Sequence, residues 1–191
     1  MHLQFSISAD IRLILIALVM FCAAGCAQTV DRARSQMAMN RADNFYEQGD
    51  YLEAYRQYMN AANAGSPRAK YMLGRMYSRG QGVTRDPEEA RRWIVKAAEQ
   101  AYPAADFEVG TMYLSGDGMA ANPGYAVLHF LRAARNKHAL SMYNLGFVYA
   151  LGIGVESDPD EALKWFRMAK AYGLPVEDEL LSRTGIESYY R

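Results

Sequence analysis

Residues 79–87 read RGQGVTRDP, and the same pattern returns as SGDGMAANP at 115–123 and as LGIGVESDP at 151–159. The segments begin 36 residues apart, and no insertion or deletion interrupts the register. Each segment keeps two glycines separated by one residue, then an apolar residue, an aspartate or asparagine, and a proline. A fixed period of this length predicts an array of stacked repeats.

The residues on either side of each segment predict two helices per unit. Residues 68–79 carry apolar side chains at helical spacing, and Gly80 follows where a left-handed residue commonly ends a helix. Asp86 is predicted to be the N-cap of a second helix, which has a proline at its first position and Glu89 placed to complete a capping box. Val83, between the two helices, is predicted to pack as an apolar plug.

Small residues recur at the same period inside the predicted helices. A glycine within a helix costs about 1 kcal/mol relative to alanine, so each such glycine needs a packing reason. Glycines in the first helices and alanines in the second would let the paired helices approach closely. These columns are Gly74, Gly110 and Gly146, and Ala90, Ala126 and Ala162. Because one unit alone cannot bury its apolar faces, the sequence predicts an all-α fold of stacked antiparallel helix pairs.

The pattern of the first unit is typical of one family. It resembles the Sel-one-like repeat (SLR), a relative of the tetratricopeptide repeat, through Ala69, Leu73-Gly74, Tyr77, Gly80-x-Gly82-Val83, Asp86, Ala90, Trp93 and Lys96-Ala97-Ala98. The third unit is nearly as similar, whereas the second departs further, with His129 in the column of Trp93 and Trp165. The resemblance implies a right-handed α-solenoid with SLR 1 at 68–102, SLR 2 at 103–138 and SLR 3 at 139–174.

Two further segments flank these units. Residues 36–67 resemble a tetratricopeptide helix pair, with a shorter loop that lacks the Gly-x-Gly-Val segment. Residues 175–191 are predicted to form a C-terminal capping helix and a tail. A helix over 176–182 would cover the last apolar face of the array, while the final residues fray.

The composition excludes several classes of protein. The 191 residues include 21 Lys and Arg against 21 Asp and Glu, and this balance argues against a nucleic-acid-binding protein. Apolar residues make up 51% of the chain, which is enough for a packed core. The only cysteines, Cys22 and Cys26, precede the repeats, so a disulfide framework, a cysteine zinc site and a cysteine nucleophile in the body of the protein are excluded.

The N-terminus is typical of a secretory signal, predicted at 1–25 and followed by a polar tether at 26–35. The apolar run 13–24 has 12 residues, too few for a comfortable membrane span. Ala23-Ala24-Gly25-Cys26 resembles a bacterial lipobox, which implies lipidation of Cys26 and a periplasm-facing outer-membrane location. The alternative is ordinary cleavage after Ala27, which would release a soluble periplasmic or secreted protein.

Few side chains in the repeats suit catalysis or metal binding. His129 lies in the tryptophan column, so a role in the core or seam is favoured, and His138 is predicted to be a solvated turn residue. Acidic pairs such as Glu88-Glu89 occupy first helical turns, where the helix dipole accounts for them. We therefore predict no catalytic residue, no cofactor and no metal. Hydrolytic activity linked to some members of the family belongs to cysteine-rich proteins, and it is not carried over to this chain.

The remaining candidate for function is a surface. In tetratricopeptide-like arrays the first helices line a concave face, and the resemblance implies that the partner lies there. An aromatic column on these helices is as compatible with packing between units as with binding. Two columns that vary between units are better candidates for selectivity. The aromatic column is Tyr71, Phe107 and Tyr143, and the variable columns are Arg75, Thr111 and Phe147, and Lys70, Asp106 and Met142.

The sequence thus predicts a non-catalytic scaffold or adaptor of the bacterial envelope that binds a protein or peptide partner. One alternative is a protein that acts on the cell wall or binds peptidoglycan or other glycans. Another is a structural lipoprotein that assists the assembly of an envelope complex. A pocket with convergent polar groups and shifted pKa values would favour an enzyme.

Overall fold

The computed structural model describes residues 33–182, and within them eight α-helices follow one another without a β-strand. The prediction of an all-α array of stacked helix pairs is confirmed. The helices are α1 (33–47), α2 (Tyr51–Asn63), α3 (Pro67–Arg79), α4 (Pro87–Ala98), α5 (Pro103–Ser115), α6 (Pro123–Arg135), α7 (Ala139–Leu151) and α8 (Pro159–Ala171), and a short 3-10 turn at Asp178–Leu181 follows. No helix in this part of the chain is both long and apolar enough to cross a membrane.

Each helix packs on its neighbours in the chain, most extensively within the pairs α3–α4, α5–α6 and α7–α8. The apolar core is divided along the array. One cluster joins α1, α2 and α3 around Tyr58 and Leu73, and a small one joins α4 to α5 around Ile94 and Val109. The largest runs from α6 to the C-terminal turn around Phe166. Neighbouring pairs therefore bury one another's faces, as expected of a solenoid.

The mid-helix glycines mark the places where paired helices touch. A Cβ atom on Gly74 would lie 2.6 Å from Cγ1 of Ile94 and 2.9 Å from the carbonyl oxygen of Ala90. On Gly146 it would lie 2.5 Å from the ring of Phe166, which is fully buried. The predicted close approach of glycine to the second helix is thus confirmed.

The inter-helix loops tie each unit to the one before it. Gly80 ends α3 in the left-handed conformation (φ 69°), as predicted. The second glycine of each loop lets the loop approach the preceding unit closely. In the third unit, a Cβ atom on Gly154 would lie 2.5 Å from the backbone of Pro123, at the start of α6. The plug residues pack here too, Val83 against the core of α1–α3 and Val155 against the core of α6–α8.

The N-caps form as predicted, but the capping box does not. Oδ1 of Asp86 accepts hydrogen bonds from the backbone N–H groups of Glu88 and Glu89, each at 3.0 Å. The backbone N–H of Asp86 donates to the carbonyl of Tyr77 at 3.0 Å, so it is not free for the Glu89 side chain. Glu89 instead pairs with Arg92 at 2.9 Å.

The ends of the array differ from the sequence expectations. Residues 33–35, assigned to the tether, are already helical. In place of the expected helix at 176–182 there is only a 3-10 turn at Asp178–Leu181. Val176 and Leu180 are buried, and Lys170 forms an exposed ion pair of 2.9 Å with Asp178. The predicted signal peptide, the lipidation site Cys26 and the tail from residue 183 lie outside the described residues.

Replacement Gly146→Ala should lower the free energy of unfolding by about 1–2 kcal/mol. The added methyl group would lie within 2.6 Å of three ring atoms of Phe166, so the cost falls in the upper part, about 2–3 kcal/mol, of the usual range for overpacking. The better helix propensity of alanine offsets about 1 kcal/mol. Urea unfolding followed by circular dichroism measures the change. Gly124→Ala is the matched control, because its Cβ would meet only Oδ1 of Asn122 at 3.4 Å and should cost little. Equal stability of Gly146→Ala and the wild type would contradict this account.

Candidate functional site

The aromatic column of the first helices is half-buried and links neighbouring units. The Tyr71 hydroxyl on α3 donates to Oε1 of Glu108 on α5 at 2.6 Å. Its ring lies 5.3 Å from that of Tyr102. Burial, followed by the hydrogen bond to Glu108, raises the pKa of Tyr71 well above its usual range. This tyrosine therefore stays protonated and holds α3 against α5.

The other two rings of the column make similar contacts. Phe107 lies 6.0 Å from Phe130 and 5.1 Å from His138, ring centre to ring centre. Tyr143 lies 5.6 Å from Phe166 and 4.9 Å from Phe147. All three residues of the column are half-buried. Tyr71 and Phe107 thus contribute to the seams with the following unit, whereas Tyr143 packs on rings of its own unit.

The column Arg75, Thr111 and Phe147 has one exposed member. Thr111 is exposed, and its hydroxyl donates to the carbonyl of Phe107 at 3.0 Å. Arg75 is half-buried, with its guanidinium carbon 5.9 Å from the centre of the Tyr71 ring, within the range of a cation–π contact. Phe147 is half-buried against Phe166 at 5.0 Å. A partner on this surface would meet a cation, a hydroxyl and an aromatic edge in successive units.

The column Lys70, Asp106 and Met142 does not face outward as predicted. Lys70 is half-buried and donates to Oε1 of Gln100 at 3.0 Å. Asp106 and Met142 are buried, so the expectation that a partner contacts these two side chains is wrong. The physical reason is that Met142 packs into the core of α6–α8, and Asp106 points towards α6.

Asp106 is the centre of a buried polar cluster. Nε of Arg132 donates to both carboxylate oxygens at 2.9 Å, and Nη2 donates to Oδ1 and to the carbonyl of Ala98, the latter at 2.7 Å. Nδ1 of His129 lies 3.0 Å from Oδ1, and the imidazole stacks on Tyr113 at 5.6 Å. His129 therefore packs inside its own unit, in agreement with the predicted role in the core or seam, while the cluster itself was missed.

One signal in the sequence could have revealed this cluster. The second unit departs from the other two at three positions together. Asp106 stands where the others have Lys70 and Met142, His129 where they have Trp93 and Trp165, and Arg132 where they have Lys96 and Met168. Relative to the third unit all three residues are polar replacements, and relative to the first unit the charge at Asp106 is reversed. Simultaneous changes of this kind indicate that the side chains are mutual partners, because a carboxylate inside a repeat array needs a paired cation.

His138 is not the solvated turn residue that the sequence suggested. It is half-buried, with its Nδ1 2.9 Å from the hydroxyl of Ser141, which is fully buried. Burial lowers the pKa of His138 below its usual value near 6.5, so the ring is neutral at pH 7. Its contact with Phe107 places it in the seam between α5 and α7.

The described residues contain no group of three or more His, Cys, Asp or Glu side chains that could hold a metal ion. Glu88 and Glu89, the acidic pair in the first turn of α4, form ion pairs with Arg91 and Arg92. In the cluster around Asp106 the carboxylate is fully buried and already bonded to Arg132.

Comparisons with known proteins agree on the repeat. A family model for the Sel1 repeat matches residues 67–102, 103–138 and 139–171, more than half of the chain. Sel1 repeat proteins generally act as non-catalytic protein-interaction scaffolds. No curated protein sequence matches the chain significantly.

Two solved structures are similar in fold and sequence. A Sel1 repeat protein from Oxalobacter formigenes has a TM-score of 0.66 and 32% identity, over 71% of this chain and 56% of its own. A protective antigen of uropathogenic Escherichia coli with an SLR fold has a TM-score of 0.64 and 30% identity, over 77% of this chain and 32% of its own. This chain therefore spans about half and one third of the lengths of these relatives.

The cluster around Asp106 should show strong coupling in a double-mutant cycle with methionine, the residue that the third unit has at both positions. Arg132→Met leaves a buried carboxylate with too few partners and should cost about 3 kcal/mol. Asp106→Met should cost less, about 1–2 kcal/mol, because the half-exposed Arg132 can turn to solvent. The double replacement should cost less than the sum. Urea unfolding of the four proteins measures the coupling, and additive costs would show that the pair is not coupled.

Proposed function

Because the chain belongs to the Sel1 repeat family, we propose that it is a non-catalytic scaffold that binds a protein or peptide partner on the concave face formed by its first helices. The observation that carries this proposal is the half-exposed aromatic column Tyr71, Phe107 and Tyr143. Rigid aromatic rings supply contact area at low conformational cost, and such side chains are enriched where proteins bind one another.

Selectivity comes from the positions beside this column. Arg75 provides a cation in the first unit, Thr111 a hydroxyl in the second, and Phe147 an aromatic edge in the third. The repeat fold does not require these side chains, since three different residues occupy equivalent places. A partner in extended conformation would therefore meet these three side chains in a fixed order, which favours one chain direction along the array.

The partner face is tested by site-specific photo-crosslinking in the cells that produce the protein. A photoreactive phenylalanine at Thr111 should capture a discrete partner, whereas the same group at the exposed Arg92 on a second helix should not. Arg75→Glu should reduce the capture about tenfold, equivalent to about 1.4 kcal/mol. Arg92→Glu is the matched control and should leave the capture unchanged. Equal capture from both positions would place the partner elsewhere.

We also propose that the scaffold is held at the bacterial envelope through a lipid on Cys26. Support comes from the apolar run 13–24 and the lipobox-like Ala23-Ala24-Gly25-Cys26. A lipid anchor would keep the concave face close to a membrane assembly. Release of a soluble periplasmic or secreted protein by cleavage after Ala27 is the competing outcome.

Mass spectrometry of the mature N-terminus distinguishes these outcomes. We expect the first residue to be Cys26 carrying two or three acyl chains, and Cys26→Ser should abolish the modification and release the protein from the membrane fraction. Gln36→Ala, in the helix beyond the tether, is the control and should leave both unchanged. A mature chain that begins at Gln28 without lipid would overturn the anchor and leave the binding proposal intact.

A further inference from the structure

The outward face of α6 differs from the equivalent faces of α4 and α8. On α4 and α8 the equivalent positions carry solvated ion pairs one helical turn apart, with N–O distances of 2.9 Å and 2.7 Å. On α6 the equivalent positions carry Tyr125 and Leu128, which are 53% and 59% exposed. The ion pairs are Glu89–Arg92 and Glu161–Lys164.

The repeat fold itself does not require apolar side chains at these positions, because it accepts charged pairs there twice. On α6 the ring of Tyr125 stacks on that of Tyr113 at 5.4 Å, and Tyr125 is still 53% exposed. Tyr125 and Leu128 also border a groove of about 520 Å3 towards the next unit, where Leu131, Tyr149 and Val155 add apolar surface. Exposed apolar patches bordered by polar residues are typical of surfaces on which proteins bind other molecules. Apolar residues at both of these outward positions occur in the second unit alone.

The other side of the same ridge is basic. Tyr125 and Leu128 share a second groove, of about 270 Å3, with His129, Arg132 and Arg135. Arg135 is exposed, and among the side chains that the structure describes it has no ion-pair partner.

Arg132 is held in place from beneath. The fully buried Asp106 accepts from Nε and Nη2 of Arg132, and the side chain of Arg132 is still 40% exposed. Nη1 takes no part in these hydrogen bonds, and Arg132 borders the groove. A guanidinium fixed by a buried carboxylate has less freedom to lose on binding, which favours charge-assisted hydrogen bonds to an incoming carboxylate.

We propose that this face of α6 is a second docking surface, which binds an acidic segment of another protein through two adjacent large apolar side chains. The apolar side chains pack on Tyr125 and Leu128, and the flanking carboxylates meet Arg132 and Arg135. Charge complementarity selects this partner, since two arginines next to an apolar ridge match acidic residues next to an apolar anchor. The surface lies on a second helix, so it does not depend on binding at the first helices.

The test uses the purified mature chain and a fluorescein-labelled hexapeptide in which leucine and phenylalanine are flanked on each side by two glutamates. Fluorescence anisotropy should detect binding that weakens as salt is raised, because exposed charge pairs are screened. The same peptide with lysines in place of the glutamates, or with serines in place of the two apolar residues, should bind at least about tenfold more weakly.

Two variants connect this binding to α6. The double variant Tyr125→Glu/Leu128→Arg installs the ion pair of α4, which this fold already accepts, and should reduce the affinity at least about tenfold. Arg135→Glu changes only an exposed side chain and should weaken the acidic peptide by a similar factor. The matched control Glu161→Gln/Lys164→Gln alters the equivalent positions on α8 and should change nothing.

Several results would overturn the proposal: no binding of the acidic peptide by the wild-type chain, equal binding of the lysine peptide, or equal binding by the double variant. Self-association that the double variant abolishes would assign the face to a second copy of the chain instead. Arg75→Glu, which tests the first-helix surface, should leave the affinity for this peptide unchanged. The proposals for the two surfaces can therefore be overturned independently of each other.

Discussion

Backbone contact at a glycine is the constraint on which this array depends. In each of the three repeat units the first helix lacks a Cβ at the point where the second helix crosses it, and Ile94, Phe130 or Phe166 fills the space. A larger residue would push the pair apart, and the loop that returns along the pair would lose its own contact. That loop in turn touches the preceding unit through Gly154 and its equivalents. The spacing within a unit and the spacing between units are therefore fixed together.

Much of the fold could be predicted because the three repeat units can be compared with one another. Residues that return every 36 positions, such as Gly80 and Asp86, have roles that follow from backbone chemistry, and the structure shows the expected left-handed helix end and N-cap. The failures occur where a pattern has two physical solutions. Glu89 fits a capping box, yet the N–H of Asp86 finds the carbonyl of Tyr77 and leaves Glu89 to an ion pair.

The candidate site was less predictable from the sequence. Periodicity shows that a column varies, but it does not show which way the side chain points. Asp106 and Met142 differ because Asp106 lies among polar partners and Met142 lies in an apolar core. Neither side chain reaches the surface. His138 follows the same rule, since its polar neighbours in sequence gave no hint of Phe107 above its ring. Tertiary partners decide these cases, and they come from other helices.

The division of the apolar core has a mechanical consequence. A large cluster at each end is joined by a small one between α4 and α5, built mainly from alanines with Ile94 and Val109. Hydrogen bonds supplement this small cluster, since the Tyr71 hydroxyl donates to Glu108 and Nη2 of Arg132 donates to the carbonyl of Ala98. In a linear array each interface contributes its own free energy. Resistance to bending at the middle joint therefore rests on apolar and polar contacts together, whereas the blocks on either side rest mainly on apolar packing.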